Sequence, residues 1–162
     1  MECGLVNMGL DEEGIKKRVG LFSEEFGLVE YVETNPDRLG FSIRKSVAMA
    51  SIIAMEPDVI VLDEPTTGQD YLGIKAIRLA IKKLKEQGKT VIVVSHDMPL
   101  VAEDTDRVLV MCDTELIFDG TPSKLFSDQS TLEKTNLLPP QITSFTQRIG
   151  KAKTNESLLS VE

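Results

Sequence analysis

Two four-residue apolar runs constrain this chain more than anything else in it: Val59-Ile60-Val61-Leu62 and Val91-Ile92-Val93-Val94. Both are rich in β-branched residues, and both are bounded within strand length by polar residues. The first ends in two adjacent acids, Asp63 and Glu64, before Pro65; the second ends in Ser95-His96-Asp97. Between them, Asp70 to Gln87 places Ile77, Ala80, Ile81 and Leu84 on one side and Lys75, Lys82, Lys83 and Lys85 on the other, with Gly88 as a helix stop. Strand, amphipathic helix, strand specifies a parallel β/α/β unit. Uninterrupted apolar runs are typical of strands covered on both faces, so Asp58–Asp63 and Thr90–Ser95 are expected to be doubly buried.

The flanking sequence extends this α/β pattern. From Asp11 to Phe26, Ile15, Val19, Phe22 and Phe26 recur at helical spacing. "ETNPDRLG" (Glu33 to Gly40) is turn-rich, and Phe41 to Met55 is a second helix of small and apolar residues ended by Pro57. A short helix is expected near Asp97. "RVLVMC" and "ELIFDG" read as two strands joined by a tight turn at Asp113-Thr114, and Thr121-Pro122 opens a further small helix. Beyond Leu138-Pro139-Pro140 the chain reads as an appendage, polar and expected to fray from Lys151 to Glu162. No internal repeat is present.

With 162 residues the chain is long enough for a core, and its net charge of −8 argues against nonspecific nucleic-acid binding. No apolar run approaches the ~20 residues of a membrane span. Cys3 and Cys112 lack a CxxC pattern, and the single His gives them no metal-site company; they read as buried or idle thiols in a reducing cytosol.

In open α/β sheets, ligands bind beyond the carboxyl ends of the strands. Adjacent parallel strands would carry Glu64 and His96 to one edge, where a carboxylate beside an imidazole aligns a water and senses a phosphate. The bland alternative is a solvated strand end.

At these residues a family resemblance emerges. "VIVLDEPTTGQD" resembles the Walker B strand and D-loop of ABC-transporter ATPases, and "VIVVSHDM" resembles their switch-histidine strand. "RVLVMCDTELIFDGTPSKLFSD" is similar to the segment that follows, while "ECGLVNMGLDEEGIKKRV" and "LLPPQIT" resemble the energy-coupling-factor branch, whose members power uptake of metal ions and vitamins. The resemblance runs over about residues 2–150. It implies a partial P-loop NTPase (ABC ATPase) fold: a helical signature subdomain at 1–56, the C-terminal half of a RecA-like core at 57–128, and an appendage at 129–162. It further implies that Asp63 holds Mg²⁺ through water, Glu64 polarises the attacking water, His96 contacts the γ-phosphate, and Asp70 faces a partner subunit. The implied partners are a second ATPase subunit, head to tail, and integral-membrane transporter subunits, on the cytoplasmic membrane face.

Two departures shape the functional expectation. A P-loop needs G-x-x-x-x-G-K-[ST] between strand and helix. Gly88-Lys89-Thr90 is a decoy, because Lys83 stands at the first glycine position and the order is helix then strand. ATP and Mg²⁺ are therefore expected only with a P-loop supplied elsewhere, and the P-loop strand and Q-loop are expected to be missing from the sheet. Aligned on Leu39, the Leu-Ser-Gly-Gly-Gln signature is replaced by Gly40, Phe41, Ser42 and Ile43, so Leu39, Gly40 and Ser42 are candidate nucleotide contacts and Phe41 is bulk where close approach is required. Ser42 as a plain helix-cap residue is the competing reading. The functional expectation is an importer ATPase component, partial or degenerate. The alternatives are a noncatalytic interaction or regulatory subunit, or a non-functional gene fragment; a chromosome-maintenance ATPase would carry a heptad coiled coil that is absent here. With one strand missing, Val59–Leu62 and Val91–Val94 are expected to stay paired while Val108–Met111 is either detached or poorly protected.

Overall fold

A computed structural model describes residues 1–141, which form two compact units that divide between Val94 and Ser95. The division falls inside the segment 57–128 that the resemblance treats as one half-core.

In the first unit, α1 (Glu2–Asn7), α2 (Glu12–Glu25) and α3 (Phe41–Ile53) pack together, linked by two 3₁₀ turns at Val29–Tyr31 and Pro36–Arg38. Asp11 caps α2, accepting from the Gly14 amide at 2.9 Å, and the predicted apolar stripe is realised: Ile15, Val19, Phe22 and Phe26 are buried. Arg18 of α2 reaches the end of α3, donating to the Ala54 carbonyl at 2.8 Å and pairing with Glu56. The chain then enters β1 (Val59–Asp63), α4 (Tyr71–Glu86) and β2 (Thr90–Val94), the predicted β/α/β unit with parallel pairing of Val59 to Thr90 through Asp63 to Val94. Lys89 clasps its entrance, pairing with Asp58 at 2.7 Å. Ile77, Ala80, Ile81 and Leu84 of α4 are buried as expected, and α4 packs on β2. Lys83, on the expected polar side of α4, pairs with Glu25 of α2.

Neither strand is doubly buried. Ile60 and Leu62 are covered, but Val59 and Val61 are 57% and 62% exposed, and Ile92 and Val94 are 48% and 54% exposed. The register puts these four, with Asp63, on one face. A two-stranded sheet with a helix on one side leaves the other face to solvent, and no described residue closes over it.

In the second unit, α5 (Met98–Asp104) leads to β3 (Val108–Cys112) and β4 (Glu115–Gly120), an antiparallel hairpin followed by α6 (Pro122–Ser127) and α7 (Gln129–Thr135). The turn residues Asp113 and Thr114 have φ of +48° and +69°, both positive as a tight two-residue hairpin demands. Val101, Ala102, Val110, Leu125, Phe126 and Leu132 form the core. β3 takes no part in the β1–β2 sheet; its hydrogen-bonded partner is β4. The expected fraying of Lys151 to Glu162 lies outside the described residues.

Candidate functional site

The site is built on the tip of β1. Asp63 ends the strand on its open face, and Glu64 follows in the left-handed region at φ +45°. A non-glycine residue held there costs about 1–3 kcal/mol unless its surroundings enforce it. They do so here. The Glu64 amide donates to the Val94 carbonyl at 2.8 Å, continuing the sheet one step past the strand, and the buried Pro65 and Thr66 anchor the chain beyond. The Glu64 carbonyl accepts from the Lys45 ammonium, which also donates to the Thr67 carbonyl at 2.9 Å. Thr67 closes the turn on itself, its hydroxyl donating to a Glu64 carboxylate oxygen at 3.3 Å.

The candidate nucleotide contacts Leu39, Gly40 and Ser42 sit at the start of α3, beside this same turn. Leu39 is buried, and Gly40 is the N-cap with no side chain to satisfy the first-turn amides. Ser42 does not act as the cap. Its hydroxyl donates to the Gln69 side-chain oxygen at 3.1 Å, while the Gln69 amide donates back to the Ser42 carbonyl at 3.3 Å. Ser46, one turn on, reaches the same Gln69 oxygen at 3.4 Å. Phe41 projects to solvent, 61% exposed, with its ring against Gly68. Gly68 has φ +73°, and a Cβ there would stand 2.6 Å from the ring. Asp70 caps α4, accepting from the Gly73 amide at 2.8 Å.

The structure therefore gathers Leu39, Gly40, Ser42, Asp63, Glu64 and Asp70 within the first unit. His96 belongs to the second unit, where it is exposed, flanked by Ser95 and by Asp97, which caps α5 through the Leu100 amide at 3.2 Å. Sequence reasoning missed Lys45, Thr67 and Gln69. One signal for the first was available: Ser42, Lys45 and Ser46 are polar at i, i+3 and i+4, and so share one face of the helix.

Lys89 holds Asp58 below the ordinary aspartate range, Arg107 does the same for Asp119, and the Thr131 and Ser130 donors do so for Asp128. No cluster of three metal-ligating side chains occurs among the described residues. An exposed strand-tip carboxylate with a second acid beside it does fit Mg²⁺, which keeps several waters and is held by one or two carboxylates plus substrate phosphates.

No family model matches the chain. It is similar to the energy-coupling factor transporter ATP-binding protein EcfA1 of Caldanaerobacter subterraneus, 42% identical over 149 residues, covering 91% of this chain and 53% of that protein. A putative ABC transporter ATP-binding protein of Methanosarcina mazei is 44% identical over 137 residues, covering 85% of this chain and 23% of the relative. Among solved structures, cbiO1 of Clostridium perfringens, described as part of the ABC transporter complex cbiONQ, superposes with a TM-score of 0.66 at 35% identity over 90% of this chain and 59% of that one. The chain spans about half, or less, of the length of the curated relatives it matches.

Proposed function

Starting from a chain that belongs to the ABC-transporter ATP-binding family, we propose that it forms the catalytic-carboxylate half of an energy-coupling ATPase. In this reading it works against phosphates cradled by chain outside these 162 residues. Asp63 bears on the Mg²⁺ shell through water, Glu64 orients the attacking water, and His96 meets the γ-phosphate. Leu39, Gly40 and Ser42 face a nucleotide held by a second ATPase subunit, and Asp70 faces that subunit. The reading places the protein peripherally on the cytoplasmic face of a membrane, bound to integral subunits of an importer for a metal ion or vitamin. Among the described residues, no helix is long and apolar enough to cross a membrane.

The observation that carries this reading is the turn at Glu64. A strand-end carboxylate is set in a conformation that residues avoid, with its backbone bonded on one side to the neighbouring strand and on the other to α3. Phosphoryl transfer rewards fixed placement of water and charge more than covalent chemistry, and this is a device for placement. Phe41 favours a second reading, a subunit that keeps its assembly contacts without turnover, because its ring projects where a nucleotide-facing signature needs close backbone approach.

One experiment separates them. The chain is fused behind the phosphate-loop half of EcfA1 and assayed for ATP hydrolysis. Turnover, with a fall of about 10²–10⁴-fold in Glu64→Gln while ATP binding persists, supports the catalytic reading. ATP binding with no turnover in the parent fusion supports the second. Equal turnover in parent and Glu64→Gln removes Glu64 from the mechanism.

A further inference from the structure

Resting on the functional reading above, one residue outside the expected site bears on how Glu64 is held. Lys45 lies 19 residues before Glu64, in α3, and its ammonium spans the turn by binding the carbonyls of Glu64 and Thr67. An ammonium offers three donors and no acceptor, so it suits two converging carbonyls, of which that of Glu64 also accepts the Thr67 amide at the longer distance of 3.3 Å. The bond to Val94 fixes the Glu64 amide; the bond to Lys45 fixes the peptide group on its other side. Together they bracket the residue whose φ is +45°.

We propose that Lys45 is a positioning residue for hydrolysis: it locks the backbone of Glu64 in its left-handed conformation, and so aims the carboxylate. α3 also begins with Gly40, Phe41 and Ser42, and its first turn is bonded to Gln69 through Ser42. The direction of the Glu64 carboxylate is thereby tied to the seating of the helix that carries the signature positions. A shift of α3 that lengthens the Lys45 contacts releases the turn, and a misplacement of about 1 Å is enough to cost a reaction of this kind on the order of 10²-fold.

The test has two arms. In the 162-residue chain, Lys45→Met is expected to speed amide exchange at Glu64 by about tenfold or more, with Ile60 and Leu62 unchanged, while Lys45→Arg stays close to the parent. Lys75→Met, on the exposed side of α4, serves as the control. In the fusion with a phosphate-loop half, Lys45→Met is expected to lower kcat by about 10–100-fold with little change in KM, and Lys45→Arg to recover much of it. Unchanged exchange at Glu64 overturns the proposal, and so does lost protection with undiminished kcat. A parent fusion without turnover instead sinks the catalytic reading, and the exchange arm still decides whether Lys45 holds Glu64. Should Lys45→Met expose Ile60 and Leu62 as well, Lys45→Gln, which keeps a donor for one carbonyl, takes its place under the same criteria.

Discussion

Replacing Gly68 with Ala tests the turn that carries the site, and the geometry sets the size of the effect. Gly68 has φ +73°, a region where a Cβ costs an L residue roughly 1–2 kcal/mol. The new Cβ would also lie 2.6 Å from Cε1 and 3.0 Å from Cδ1 of Phe41. Carbon atoms pack at about 3.5–4.0 Å, so the ring must retreat by about 1 Å. Phe41 is exposed enough to do so, at the cost of its contact and an off-rotamer angle worth about 0.5–1.5 kcal/mol. Ala stiffens the unfolded chain and returns about 0.4–1 kcal/mol. Gly68→Ala is therefore expected to destabilise the first unit by about 0.5–3 kcal/mol. Tyrosine fluorescence during urea unfolding is a selective assay, because both tyrosines, Tyr31 and Tyr71, lie in that unit and the chain has no Trp. Adding Phe41→Ala should recover the ring's share, giving a coupling of about 0.5–1.5 kcal/mol in a double-mutant cycle. A neutral Gly68→Ala refutes the left-handed turn, and a coupling of zero refutes the ring's place against it.

Two other expectations concern the rest of the molecule. Asp128 caps α7, accepting from the Thr131 hydroxyl at 2.7 Å and from the Ser130 and Thr131 amides, so its folded pKa is depressed. A depressed carboxyl contributes stability above its unfolded pKa and loses it as pH falls through the folded value; Asp128→Asn should flatten the acid limb of the stability curve, and an unaltered limb contradicts the cap. On the open face of β1, Val61→Lys is expected to change stability by less than about 0.5 kcal/mol while raising solubility, read by urea unfolding and by light scattering against concentration. A large loss of stability shows that the position is covered.

Local chemistry made much of this fold legible. The α2 stripe, the Asp70-to-Gln87 helix with its stop at Gly88, the Asp113-Thr114 turn and the Thr121-Pro122 helix start all rest on rules that act within a few residues. The exposure of β1 and β2 was not legible, because an unbroken Val/Ile run reads the same whether both of its faces are covered or one. The pairing of β3 with β4 rather than with the β1–β2 sheet agrees with the expectation, drawn from the resemblance, that Val108–Met111 would not join that sheet. α1 and α7, at 6 and 7 residues, are too short for periodicity to declare. The Lys45 and Gln69 contacts span 19 and 27 residues and depend on α3 lying against the turn, which no local pattern encodes. Glu64 was singled out by its place after four apolar residues, but its left-handed backbone was not foreseen, since nothing about a Glu-Pro step asks for it.

The parallel pairing of β1 with β2 also sets a clock on synthesis. Val59 is partnered by Thr90, 31 residues later. At about 5–20 residues per second of translation, β1 leaves the ribosome roughly 2–6 s before its partner exists as polypeptide. The hairpin of β3 and β4 has no such delay, because a two-residue turn joins its strands and such hairpins close in about 1–10 μs. Through those seconds Val59-Ile60-Val61-Leu62 is an unpaired, uncharged strand, and the first charges after it are Asp63 and Glu64. The two acids proposed for the site are also placed to guard the nascent strand, since like charges oppose pairing with a second copy of the same segment before Thr90–Val94 arrives to claim it.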